Sequence, residues 1–319
     1  MSTLNELYSS RSMRRRYEVW FLRMGLADGA GAWWFRYLLM NPGRAIHPGR
    51  EHSPENPQAM PVQIWATWFP SGGKPQTFIQ GFPVHALEIS PRSQSPFCFR
   101  IGENRIDENS CRGQLHVDGH SIRWDLQYRS TFCVTLSNKG WIGFSRTPHS
   151  DAVFSGEIAL DGRSFAGDAL GFGVQGHNSG YRHRNFWTWT HACFPGDHGP
   201  ATTLEALVYE MPFGMRFRKA VLWHDGQRYV FRNLREQTRD RENLRWNFQC
   251  VARDGLRLNA AIDGASPSVH RLPYNKTDGK GSFEVANNSL ASATLLIEGP
   301  NAPAQALKTT NGAVLEMVA

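Results

Sequence analysis

The chain has 319 residues, 40% of them hydrophobic and 20% charged, with a net charge of +7. That length accommodates two ordinary domains, and the composition suits a packed core under a wet surface rather than a disordered or fibrous chain. No window approaches the roughly 18 uninterrupted apolar residues of a membrane-spanning helix, and the closest, GAGAWWFRYLLM, is broken by Arg36. The five cysteines are scattered without a C-x-x-C pair, which argues against a disulfide framework and a structural zinc site.

The opening segment, MSTLNELYSSRSMRRR, lacks the apolar stretch of a secretory signal, so a cytoplasmic location is expected. Within it, LNELYSS has room for a turn or two of helix. Arg14, Arg15 and Arg16 read as a solvated arm, which leaves room for transient contact with a membrane surface. No basic stripe follows a periodic helix, so nucleic acid is not an expected partner. Met40 to Pro61 is a Pro-rich loop, either a lid or a plain surface insertion.

Further along, Asp-Gly recurs seven times, at Asp28, Asp118, Asp161, Asp225, Asp254, Asp263 and Asp278. This dipeptide supplies the positive φ angles that tight hairpins need. Around it the apolar residues alternate: Ile122, Trp124, Leu126 and Tyr128 after one turn, Leu256, Leu258, Ala260 and Ile262 after another. That is the period of a strand with one wet face. Asn233 to Trp246 is charged enough for a short exposed helix or a long hairpin. Many short strands and few, short helices predict an all-β fold of sandwich or barrel type. Clustered turn residues between Arg146 and Gly167 place a boundary there, giving domains 1–155 and 156–319.

The order of several motifs resembles a known superfamily. The run RRYEVWFLRM…GAWWFRYLLM…VQIWATWFP is similar to its opening strands, GVQGHNSGYRHRNFWTWTHACF to its central signature, and FEVANNSLASATLLIEG to its closing strands. The superfamily is the lipocalin-like one of hydroxyneurosporene synthase (the carotenoid hydratase), tocopherol cyclase and fungal Diels–Alderases. The resemblance implies two lipocalin-like (calycin) β-barrel domains packed together, with a pocket for an apolar metabolite such as an isoprenoid. It also implies ligand contacts from His177, Asn178, Trp187 and Trp189. Two positions depart from the pattern: Gly176 stands where the family carries an acid, and Ser179 where it carries Trp.

Protonating an alkene needs a carboxyl kept protonated near neutral pH, which burial in an apolar site achieves. With Gly176 unable to serve, strand alternation suggests a replacement. Trp187, Trp189, His191 and Cys193 share one strand face, and Glu205, Leu207 and Tyr209 share one on the next strand. If those faces meet in one cavity, Glu205 with Tyr209 and His191 forms the catalytic group. Otherwise Glu205 is a solvent-facing strand residue and His191 a structural hydrogen bonder. Glu18 and Glu88 are weaker candidates. The G-x-G-x-x-G of Gly171, Gly173 and Gly176 lacks a surrounding βαβ unit, and His177, His183, His191 and His198 lack metal-ligand spacing. No cofactor and no metal are expected. The reading is a protein that binds a hydrophobic small molecule and cyclises, hydrates or isomerises it, or else a carrier that returns its ligand unchanged.

Overall fold

The computed structural model describes residues 4–9, 15–41, 56–90, 96–139, 142–196, 199–265, 267–277, 281–299 and 303–319. Among the described residues nearly all regular structure is strand, and the helices are three-residue 3₁₀ turns such as Pro57–Ala59 and Val84–Ala86. Residues 4–9 form no helix, and Asn233 to Trp246 is a hairpin. Most of the Pro-rich loop, 42–55, and Arg14 lie outside the described residues.

The first sheet holds β1 (Tyr17–Leu26), β2 (Gly31–Met40), β3 (Val62–Pro70), β4 (Gln76–Phe82), β5 (Leu87–Ile89), β6 (Cys98–Ile101), β7 (Asn104–Asp107), β8 (Ser110–Val117), β9 (His120–Arg129), β10 (Val134–Asn138), β11 (Gly143–Leu160) and β12 (Arg163–Gly180). The second holds β13 (Trp187–Gly196), β14 (Gly199–Glu210), β15 (Arg216–His224), β16 (Gln227–Phe231), β17 (Arg235–Asp240), β18 (Arg245–Val251), β19 (Arg257–Asp263), β20 (His270–Asn275), β21 (Ser282–Glu298) and β22 (Gln305–Val318). Their strand orders follow one scheme. The first runs β4-β3-β2-β1-β12-β11-β9-β8-β7-β6-β5 with β10 on β11; the second runs β16-β15-β14-β13-β22-β21-β19-β18-β17 with β20 on β21. A repeat that the residues do not display is plain in the topology.

Turn chemistry closes the hairpins as the dipeptides predict. At Asp118-Gly119, Asp161-Gly162 and Asp225-Gly226 both residues have positive φ, between 49° and 84°. The flanking pairs Val117–His120, Leu160–Arg163 and His224–Gln227 are in register, so each loop is two residues long. At Asp28 and Asp254 only the following glycine is left-handed, at Asp263-Gly264 neither residue is, and Asp278 lies outside the described residues.

Each sheet curls around its own core. Phe78 of β4 and Leu87 of β5, at opposite ends of the first sheet, join one cluster with Trp20, Trp33 and Trp124. Trp246, Phe248, Leu204 and Leu315 belong to the corresponding cluster of the second sheet. A third cluster lies between the sheets, where Val19, Phe21, Trp34 and Val174 meet Trp189, Leu207, Tyr209 and Val314. β1 therefore has two buried faces: Trp20, Leu22 and Met24 point into the first core, Val19 and Phe21 toward the second sheet. That is why β1 and β2 are buried almost end to end while β9 alternates.

The chain changes sheet between Gly180 and Trp187, not at 155/156, which falls inside β11. The turn residues read as a boundary serve other ends. TPHSD carries register shifts between Arg146, His149 and Ala152, and Asp161-Gly162 is the β11–β12 turn.

Candidate ligand cavity and its buried charges

Packing of the two sheets is incomplete at one end of their interface, leaving a cavity of about 150 Å³. It lies between the sheets rather than inside either, because both interiors are filled by side chains. Its apolar wall includes Val19, Phe21, Trp34, Trp187, Trp189 and Leu207. Of the residues expected to contact ligand, Asn178, Trp187 and Trp189 line it, and so does Tyr209.

His177 does not. Its ring stacks on Trp20 in the first core, with Nε2 2.8 Å from the Glu18 carboxylate and Nδ1 2.7 Å from the Leu4 carbonyl. Both ring nitrogens are engaged, which fixes the ring in place. Glu18 also accepts the backbone N–H groups of Tyr8 and Ser9 at 2.8 and 2.7 Å, so this pair fastens the N-terminal segment to the barrel. Parity explains the difference: Asn178 and His177 are neighbours on β12, so their side chains leave opposite faces. Glu88 is exposed, 3.7 Å from Arg100.

The expected catalytic group is brought together in part. Trp187 pairs with Tyr209, Trp189 with Leu207 and His191 with Glu205, and these faces do look across to the first sheet. The Trp187–Tyr209 and Trp189–Leu207 pairs reach the cavity, and the His191–Glu205 pair does not. At the other end β11 closes over the row: the His191 Nε2–H donates to the Ser150 carbonyl at 2.6 Å, and Thr147 Oγ1 donates to Glu205 Oε1 at 2.8 Å. Burial pushes His191 down to about 3, so it is neutral at pH 7. Glu205 sits behind the Trp189 indole, whose Nε1–H donates to Oε1 at 3.1 Å, while Oε2 has no partner. Neither His191 nor Glu205 lines the cavity.

Burial pushes Glu205 up to about 7, against the opposing pull of those two hydrogen bonds. Between its ordinary value of 4.5 and 7, the folded protein keeps this proton and the unfolded chain has lost it. Stability therefore falls as pH rises through that window and levels off above it, by up to roughly 3 kcal/mol. Glu205→Gln should remove most of this dependence. Urea unfolding at pH 5 and pH 8 checks it, and parallel pH dependences in parent and variant would refute the buried-acid assignment.

The missing family acid has a structural counterpart. A Cβ on Gly176 would lie 2.2 Å from the Phe21 ring, which occupies that space and packs edge-on against Trp189 at 5.5 Å. An acid does stand in the cavity wall, but on another strand. Glu316 of β22, 9% exposed, accepts the Trp187 indole N–H at 2.8 Å, and burial raises its pKa against the opposing charge of Arg36. His183, stacked on Tyr17 with ring centroids 4.1 Å apart, completes this side. Its Nδ1 is covered and unpartnered, and burial together with the Arg36 charge pushes it down to about 3.

Arg36, His183 and Glu316 went unassigned in the sequence reading. Two of them carried a signal: Arg36 in WWFRYLLM and Glu316 in AVLEMV are single charges inside apolar strands. Among the described residues no three His, Cys, Asp or Glu side chains gather as metal ligands, and no helix is long and apolar enough to cross a membrane.

Two curled antiparallel sheets of matching topology, packed face to face around an interface cavity, make up a two-barrel fold of lipocalin-like architecture. Solved structures share this fold. Kievitone hydratase from Nectria haematococca superposes with a TM-score of 0.54 at 12% identity, over 99% of this chain and 93% of that one. CghA does so with a TM-score of 0.62 at 10% identity, over 96% and 88%. A protein assigned as AttH from Nitrosomonas europaea gives 0.51 at 13% identity, over 97% and 94%. No protein-family model and no curated protein sequence matches the chain. The all-β, two-barrel fold expected from the sequence is thus the fold observed.

Proposed function

We propose that the interface cavity binds a compact apolar small molecule and catalyses its hydration, cyclisation or isomerisation by proton transfer from Glu316. One observation carries this reading: a carboxyl with a raised pKa is built into a wall of indole rings. The protonated carboxyl gives its proton to an alkene carbon, leaving a carboxylate and a carbocation. The faces of Trp187, Trp189 and Trp34 lower the energy of that cation. Attack by water, followed by return of a proton to the carboxylate, completes hydration. Attack by a hydroxyl within the ligand, with its proton passing to the carboxylate, completes cyclisation, and transfer of a different proton from the cation to the carboxylate completes isomerisation. Arg36 favours the transient carboxylate electrostatically. The activity named for the structural neighbour kievitone hydratase is of this chemical kind, which supports the reading.

Size narrows the ligand. An engineered apolar cavity of about 150 Å³ in another protein admits benzene, so one ring or a short branched chain fits here and a long polyene does not. A carrier function is the second reading, favoured by the Phe21 ring at the position of the family acid. Extracting the copurifying small molecule, returning it to the protein in D₂O and weighing the product by mass spectrometry separates the two. Deuterium at carbon, with or without added water, is the expected result; an unchanged ligand identifies a carrier.

A further inference from the structure

We propose that the ligand of this cavity carries an oxyanion, a carboxylate or phenolate on its compact apolar frame, and that Arg36 is the residue that reads it. The inference rests on the cavity being a small-molecule site and names the class of molecule.

Two buried arginines in neighbouring strands are set in opposite ways. Arg23, 1% exposed, spends its N–H groups on carbonyls of the second sheet: those of Ser289, Gly312, Asn311 and Ala313. It is a structural cross-brace. Arg36, 7% exposed, has no such set. Its guanidinium lies over the rings of Tyr274, Trp65 and Trp34, with centroids at 4.3, 4.7 and 5.7 Å. Those rings hold the cation through their faces but do not supply in-plane acceptors for its five N–H donors. Nη1 is buried without a hydrogen-bond partner, and no carboxylate lies within ion-pair distance of Arg36 among the described residues.

Other unsatisfied atoms cluster around the same space. Trp34 Nε1 and His183 Nδ1, the second a donor in its Nδ1–H tautomer, are also buried and unpartnered, and both residues line the cavity together with Arg36. Buried polar groups without partners are uncommon in native proteins, and several around one cavity point to a polar ligand that completes them. Charge fixes its sign. Arg36, Lys139, Arg182 and Arg184 line the cavity against one acid, Glu316. A bidentate oxyanion matches the planar fork of a guanidinium, and the indole wall takes the apolar remainder.

Benzoate and its neutral analogue benzyl alcohol test this by calorimetry and tryptophan quenching, with inorganic phosphate as a third probe. The full chain at low salt and pH 7.5 should bind benzoate at least about tenfold more tightly than benzyl alcohol, a ratio that added salt reduces. Arg36→Met should abolish the preference while leaving benzyl alcohol affinity within about threefold. Arg182→Ser and Arg184→Ser, at the rim, should retain most of it. Equal binding of the two probes by the parent overturns the proposal without touching the cavity, as does a preference kept in Arg36→Met or lost in the rim variants. Tightest binding of phosphate overturns the apolar acid. Failure of every probe to bind removes the cavity reading as well. Because the parent comparison is decisive alone, poor folding of Arg36→Met leaves the test intact.

Discussion

Arg23→Met should lower the free energy of unfolding by roughly 2–5 kcal/mol, the cost of leaving buried carbonyls without donors. The guanidinium enters the second sheet where β21 and β22 are irregular, with register shifts between Asn288, Ala291 and Ala293. Regular pairing is interrupted there, and the carbonyls of Ser289, Asn311 and Ala313 turn to the arginine instead. Burial lowers Arg23 to about 10, which still leaves it charged at pH 7, so the cost of desolvating the cation is part of the folded state. Methionine retains the apolar stem and avoids that cost, which is why the expected loss stays below the sum of the broken bonds. Urea titration of Arg23→Met beside Arg123→Met, an exposed change on β9, separates the effects. The exposed variant should stay within about 0.5 kcal/mol of the parent. Equal midpoints for the two variants would refute the cross-brace.

How far the residues alone disclose this molecule depends on the range of the physics involved. Asp118-Gly119 and Asp161-Gly162 are local devices, and they close two-residue hairpins as their φ preferences require. Alternation in β9 marks a sheet surface with one wet face. Parity also pairs Trp187, Trp189 and His191 with Tyr209, Leu207 and Glu205 on one inward face. What parity cannot supply is depth along that face. Thr147 and Ser150 of β11 cover the His191–Glu205 end, and the cavity opens toward Trp189 and Trp187. Such covering is a long-range contact with no local signature.

Charges set among apolar neighbours are a further signal in the sequence. Glu18, Arg23, Arg36, Glu205 and Glu316 are each flanked on both sides by apolar residues, and each is at most 9% exposed. A charge is rarely buried without a role, so these five positions mark the buried pair, the brace and the cavity better than the motif residues do. His177 and Asn178, adjacent on β12, leave opposite faces of the strand and so do not share one pocket. The expected boundary at 155/156 falls within β11, where turn residues at a bulge and at a hairpin resemble those of a linker.

Glu316→Gln should reduce turnover of the cavity's substrate by roughly two to four orders of magnitude, the usual contribution of a positioned general acid. Glutamine keeps the shape of the side chain and an oxygen to accept the Trp187 N–H, so the wall should stay in place and ligand binding change little. It has no acidic proton to give. The pH dependence follows from the direction of the shift. Burial raises the Glu316 pKa, so the protonated, active form persists above the ordinary carboxylate range, and the rate should fall as pH rises through the raised value. Arg36 opposes that rise, so Arg36→Met should move the descending limb to higher pH. Glu205→Gln, whose carboxyl lies behind Trp189, should leave the profile near that of the parent. A large loss of turnover in Glu205→Gln with little change in Glu316→Gln would return the proton to the β14 carboxyl. Full turnover in both would leave the cavity to bind and orient its ligand without an acid.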